Sequence, residues 1–175
     1  LVNLFDFTID MFKKAAGRRL DAIEAHDLVC KVGEVVVVGG VRRSALISLS
    51  SIQDDQMRKA KSGQWWLENG QRALANNSGC YSRTPDMGLF MSEWKALYDS
   101  KSGERGIFNR QAAKNKASEN ERRDTDFEFG TNPCCEIILR PYQFCNLTEV
   151  VIRATDNELE IKEKIRLATI LGTFQ

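Results

Sequence analysis

Residues 130–147 read GTNPCCEIILRPYQFCNL. The stretch places an amide (Asn132), a thiol (Cys134) and a carboxylate (Glu136) at alternate positions. In an extended backbone alternate residues face the same side, so one small substrate could touch all three. Pro133 disfavours the helical region at Asn132, which supports the extended reading. A further thiol, Cys145, stands eleven positions after Cys134, past Pro141, where it could fold back beside the first. The plain alternative is an inert core strand, since cysteine is among the most buried residue types. Residues 136–139 and 147–152 read as short strands on either side of a Pro-containing turn.

Upstream, the chain alternates between helix and strand periods. Residues 4–15 carry apolar side chains at helical spacing, and Gly17 with Arg18 and Arg19 supplies a stop with a cationic last turn. A second helix is expected from residue 21 through the valines at 35–38, with Gly39 and Gly40 breaking it. Residues 44–50 (SALISLS) alternate like a strand, and 54–61 read as a polar helix. Trp65 and Trp66 are expected to anchor packing. Residues 71–77 read as a strand that ends in the turn-rich NNSG, where Asn76, Asn77 and Ser78 cap it near the site. Residues 86–100 and 110–117 read as helices, 118–126 as a hydrated charged loop, and a last amphipathic helix starts near Asn157. Strand–helix alternation of this kind points to an α/β fold.

Composition narrows the chemistry. The chain has 175 residues, enough for one domain with a real core. Lys plus Arg is 25 and Asp plus Glu is 24, so the net charge of +1 provides no basic field for nucleic acid. No apolar run approaches the roughly 20 residues that span a bilayer, and no signal peptide is seen at the start. One histidine, His26, argues against a Ser-His-Asp triad or a multi-His metal site, and no metal ligand set is expected. Next to Leu28 and Val29, His26 reads as a hydrogen-bonded structural residue. Five cysteines, an odd number without CxxC spacing, read as free thiols in a reducing cytoplasm.

The motif NPCCEI followed by FCNL resembles the active-site signature of ribonucleotide reductases, whose large chain carries an N-P-C-x-E finger loop. VVVVGGVRRSALISLS resembles the family's loop that links effector to substrate choice. KSGQWW, RALANNS, GIFNRQAA and DFEFGTNPC resemble blocks of the adenosylcobalamin-dependent class. They occur in family order over nearly the whole chain. The resemblance implies the central part of a ten-stranded α/β barrel with a finger loop, spanning residues 1–175 as one segment.

The resemblance also implies a mechanism. Cys134 would be the thiyl radical that takes hydrogen from ribose C3′. Glu136 would be the base for the 3′-hydroxyl, general-base work at hydrogen-bond range. Asn132 would orient the ribose hydroxyls, and Cys145 would be one half of the reducing dithiol. Cys135 occupies a variable position and reads as structural, with strand alternation pointing it away from Cys134. Adenosylcobalamin would be the radical source, its homolysis performed by the cofactor and positioned by the protein.

Gly39, Gly40, Val41, Arg42, Arg43 and Ser44 match the specificity loop. Paired glycines permit close backbone approach to a base, and Arg42 can stack on a base or bond a phosphate. Arg18 and Arg19 are assigned by position as effector phosphate contacts, with a solvated helix end as the alternative. Implied partners are a ribonucleotide substrate, deoxynucleotide effectors, the remaining barrel segments and a thioredoxin-like reductant.

A complete reductase of this family is much longer, and the chain starts with Leu. The expectation is therefore a piece that works with the rest of the barrel. Cys30 and Cys80 do not sit in the motif of the first reducing cysteine. Two alternatives stay open: a non-catalytic nucleotide-binding or assembly piece, and a class I reductase with a separate radical subunit.

Overall fold

The computed structural model describes residues 1–38, 41, 42, 44–101, 105–119, 121 and 123–175, with backbone alone at 37, 38, 41 and 42. The chain separates into two compact units, Leu1–Pro141 and Tyr142–Gln175.

The first unit opens with two helices, α1 (Val2–Lys14) and α2 (Ala22–Glu34). Gly17, with φ +84, takes the left-handed conformation between them that glycine adopts without steric cost. Glu24 reaches back to the backbone N–H of Asp21 at 2.9 Å, which satisfies one of the donors left over at the start of α2. The valine run does not continue α2 as expected. The helix stops at Glu34, and β1 (Val37–Val38) pairs antiparallel with β2 (Val41–Arg42). β-branched side chains favour that outcome, and a local partner strand is available to satisfy their backbone.

The centre is a parallel sheet in the order β3 (Leu46–Ser51), β4 (Ala75–Tyr81), β5 (Gly106–Asn109). Between β3 and β4 run α3 (Asp55–Lys59), α4 (Trp65–Glu68) and a 3₁₀ turn, Gly70–Leu74. Between β4 and β5 lies α5 (Met87–Ser100), and α6 (Arg110–Ser118) follows β5. Three of these helices are capped by side chains named in their sequence. Asp54 accepts from Met57 N at 3.0 Å, Asp86 from Gly88 N at 2.9 Å, and Asn109 from Ala112 N at 3.0 Å. Trp66 is 55% exposed and is not the packing anchor its neighbour could be, because α4 is one turn long and has no buried residue.

β4 begins at Ala75, four residues later than the sequence suggests, and Asn76-Asn77-Ser78-Gly79 run through its middle rather than ending it. Leu46 pairs with Ala75 and Ser51 with Cys80 along β3. Side chains alternate across a strand, so Asn77 and Gly79 share one face and Asn76 and Ser78 the other. Helices cover the Asn77 face. His26 of α2 bonds Asn77 Oδ1 at 3.0 Å, and a Cβ placed on Gly79 would stand 3.2 Å from Glu93 Cδ of α5. Over the opposite face lies a hairpin of β6 (Gly130–Thr131) and β7 (Ile138–Leu139). A Cβ placed on Gly130 would meet Leu49 of β3 at 3.7 Å.

The second unit holds α7 (Glu158–Phe174) and an irregular stretch before it. Asn157 and Glu160 exchange reciprocal bonds of 2.8 and 3.1 Å at its start, a capping box. The strand expected at 147–152 is not formed, since no partner ladder pairs with that β-branched run among the described residues.

The result is a mixed α/β fold. It has a three-stranded parallel sheet with helices on one face and the Cys134 hairpin on the other.

Candidate functional site

The hairpin loop is built from its own side chains. Thr131 Oγ1 donates to Ile137 O at 3.0 Å, and Asn132 N donates to the same oxygen at 3.2 Å. Ile137 N returns a bond to Asn132 Oδ1 at 3.1 Å. Asn132 is 4% exposed, so its amide serves the loop's shape from inside. Cys135 N donates to Asn132 O at 3.0 Å, closing a four-residue turn with Pro133 at its second position, where its fixed φ fits.

This corrects the extended reading of residues 132–136. The segment is a turn, and Cys135 sits at φ +67, in the left-handed region. Period-2 alternation therefore does not govern where Cys134, Cys135 and Glu136 point. Cys134, Cys135 and Glu136 are all exposed at the tip, while Asn132 is buried beneath them. The Cys134 thiol is open at the surface of the loop. It is not packed into an aliphatic core.

The sheet meets this turn through a residue the sequence reading left without a role in it. Asn76 Nδ2 donates to Pro133 O at 3.0 Å. Its neighbour Asn77 belongs to a buried cluster on the other face, with His26, Asp27, Cys30 and Arg72. His26 Nδ1 faces Asp27 Oδ1 at 3.3 Å, and the Cys30 sulfur lies 3.7 Å from Nε2. Burial alone would lower the His26 pKa. The bond to Asp27, the Cys30 sulfur and Asn77 outweigh it and raise it to about 9. His26 is thus the structural residue expected from sequence.

The other assigned positions fall as follows. Of the stretch expected to form a specificity loop, Gly39, Gly40 and Arg43 lie outside the described residues, and Val41 and Arg42 form β2. Ser44 Oγ donates to Gly33 O at 2.8 Å, tying the strand side of that loop to α2. Arg18 is engaged by Glu24 at 2.6 and 2.8 Å, and it holds the Glu24 carboxyl down at about 2. Arg19 is exposed. Cys145 is half-buried in the second unit. Cys30 and Cys80 are buried, and burial pushes the Cys80 thiol up. A cavity of about 510 Å³ opens at the ends of β3 and β4, lined by Ser50, Ser51, Ser82, Arg83 and Arg110 among others. None of the assigned catalytic residues lines it.

Among the described residues no group of three or more His, Cys, Asp or Glu gathers to hold a metal ion, and the single imidazole is committed to Asp27 and Asn77. No described helix is long and apolar enough to cross a membrane.

Over most of its length the chain is similar in sequence to curated ribonucleotide reductases of the adenosylcobalamin-dependent kind. It is 34% identical to the adenosylcobalamin-dependent ribonucleoside-triphosphate reductase of Lacticaseibacillus paracasei, over 87% of this chain and 20% of that protein. With the reductase of the same name from Lactobacillus leichmannii it shares 34% identity over 96% of this chain and 23% of the relative. The Lactobacillus acidophilus reductase is 32% identical over 97% of this chain and 23% of its own length. The chain thus spans about a fifth of the length of the curated relatives it matches. No family model matches it. Nor does any solved structure.

Proposed function

We propose that this chain is the reactive-loop part of an adenosylcobalamin-dependent ribonucleotide reductase and that it acts together with the remainder of a catalytic barrel. The observation that carries the reading is the exposed Cys134 at the tip of a hairpin held over a parallel sheet, within a stretch that matches these reductases. Exposed apolar side chains on α1, such as Phe5 at 61% and Phe12 at 54%, support a chain that packs against further structure. The sheet face carrying Asn76 and Leu49 would then look into the barrel, with the hairpin as its finger loop and the helices outside.

The steps assigned to this chain are those of its own side chains. A Cys134 thiyl takes the hydrogen atom from ribose C3′, forming S–H as the C–H bond breaks. Glu136 takes the proton of the 3′-hydroxyl while the 2′-hydroxyl, protonated by one thiol of a dithiol, departs as water. That dithiol, which includes Cys145, gives its second hydrogen to C2′ and a further electron to the sugar as it closes to a disulfide, and Glu136 returns its proton to the 3′-oxygen. Cys134 then returns hydrogen to C3′ and is again a thiyl. Asn132 has its Oδ1 engaged by Ile137 N, so Nδ2 is the atom that would bond a ribose hydroxyl. The similar reductases are named adenosylcobalamin-dependent, and in this reading the cofactor would supply the radical when bound.

Residues 39–44 serve as the loop that adjusts substrate choice to a bound deoxynucleotide. Arg18 and Arg19 contact its phosphates, Arg18 exchanging the Glu24 carboxylate for phosphate oxygen. A thioredoxin-like protein restores the dithiol.

The test compares two thiol variants in the reductase assembled with this chain, supplied with nucleotide, dithiol and adenosylcobalamin. Cys134→Ser is expected to abolish deoxyribonucleotide formation, and Cys135→Ser to retain it. Turnover by the Cys134→Ser protein would reduce the chain to a nucleotide-binding or assembly piece.

A further inference from the structure

The bonds within the 132–137 turn give it a shape but do not fix where that shape sits above the sheet. Asn132, Ile137 and Cys135 bond one another, and Thr131 bonds Ile137, all inside the hairpin. The bond that reaches the turn from β4 is Asn76 Nδ2 to Pro133 O at 3.0 Å. That oxygen has particular leverage. A peptide unit is planar, and the Pro133 carbonyl shares its plane with the nitrogen and Cα of Cys134. Holding the oxygen therefore orients the bond from which the reactive side chain departs.

Asn76 is itself backed from behind. The next residue, Asn77, points to the opposite face and is bonded at 3.0 Å to His26, which is 8% exposed. Along β4, Asn76 pairs with Ile47 of β3, so the strand is laterally fixed as well. An amide is suited to the task, since it presents a donor at fixed length without a charge to desolvate.

We propose that Asn76 is a positioning residue for Cys134: it holds the Pro133–Cys134 peptide plane over the sheet and so sets where the sulfur stands. The inference rests on the reading of Cys134 as the reacting thiol. A misplacement of about 1 Å costs a reacting pair on the order of 100-fold in rate. An ordinary structural asparagine would instead be felt in global stability.

Asn76→Asp keeps the shape, removes the donor and turns an oxygen toward the Pro133 carbonyl. Asn76→Ser keeps a shorter donor and serves as a milder second variant. In the assembled reductase Asn76→Asp is expected to lower kcat about 10- to 100-fold with the nucleotide KM little changed, and Asn76→Ser to fall between it and the parent. In the full chain, hydrogen exchange at the Cys135 and Ile137 amides should quicken in Asn76→Asp while the urea midpoint stays near the parent's. Unchanged kcat and exchange in Asn76→Asp, with Cys134→Ser inactive, would overturn the positioning role alone. An equal loss of global stability and local protection would also overturn it. Activity surviving in Cys134→Ser would instead remove the reading on which it rests.

Discussion

Arg72 grips Asp27 with two parallel hydrogen bonds of 2.6 Å, Nε to Oδ1 and Nη2 to Oδ2, and so ties α2 to the turn that feeds β4. A third bond, Nη1 to Ala60 O at 2.8 Å, fixes the guanidinium plane. Both side chains are nearly buried, at 13% and 10% exposure. Burial alone would raise the Asp27 carboxyl, but Arg72 and His26 outweigh it and hold it below the usual carboxylate range. Lysine cannot reproduce a fork of this geometry. Arg72→Lys is expected to cost about 1–3 kcal/mol and Arg72→Ala about 3–5 kcal/mol, since the latter strips the buried carboxylate of its two-bond partner and leaves it His26 alone. Urea unfolding of the two variants checks the order. Equal midpoints would show that the fork geometry contributes nothing.

Short-range physics was legible in the sequence, and long-range pairing was not. Asp86 and Asn157 mark helix starts because an N-cap is chosen within four residues of where it acts. The alternation around Leu46 and Ile47 announced β3 for the same reason. The asparagines at 76 and 77 read as a turn because such residues are usually satisfied locally. Here their partners are Pro133, 57 residues away, and His26, 51 residues away. The motif singles out Cys134, but the turn around it is not legible: Pro133 suits an extended residue before it and also the second position of a turn, and the Cys135 N–H to Asn132 O bond selects the turn. Glu93 was invisible for a similar reason. Nothing in helical spacing announces a buried carboxylate whose partners lie 35 and 12 residues off.

Glu93 is fully buried beneath β4, bonded by Arg58 Nε at 3.0 Å and by Arg105 Nε. Gly79 makes room for it, because a Cβ there would press on Glu93 Cδ at 3.2 Å and on Oε1 at 3.3 Å. Moving that carboxylate would disturb two cationic partners at once. Gly79→Ala should therefore destabilise the chain by about 1–3 kcal/mol, the usual cost of overpacking. Glu93→Ala should cost about 3–5 kcal/mol by leaving the buried Arg105 guanidinium without its carboxylate and Arg58 with Asp55. Thermal or urea unfolding measures both, and a Gly79→Ala protein as stable as the parent would mean that the cluster yields freely.

Cys135 adopts φ +67, a region that costs an L-residue about 1–2 kcal/mol and glycine almost nothing. Cys135→Gly is expected to raise stability by up to about 1 kcal/mol, and Cys135→Val to lower it by about 1–2 kcal/mol, because β-branching worsens the same clash. The pair of variants separates backbone strain from thiol chemistry. If both shift the unfolding midpoint in the same direction, the left-handed geometry at this position is not what limits the turn.

His26 predicts a loss of stability in mild base. Its ring nitrogens face Asp27 Oδ1 and Asn77 Oδ1, both acceptors, so the fold favours the doubly protonated ring. The folded pKa of about 9 lies above the ordinary value of 6.5. A raised pKa means that the folded state binds the proton more tightly than the unfolded chain. Its contribution is complete below about pH 6.5 and disappears as pH climbs through 9. The amount at stake is on the order of 3 kcal/mol. Unfolding free energy should thus fall between pH 6.5 and 9 in the parent and stay much flatter over that window in His26→Gln. Proton NMR of the single imidazole offers the direct reading, with its inflection expected near 9. An inflection near 6.5 would mean that the bonds to Asp27 and Asn77 do not favour the charged ring, and the decline in mild base would then have to come from another group.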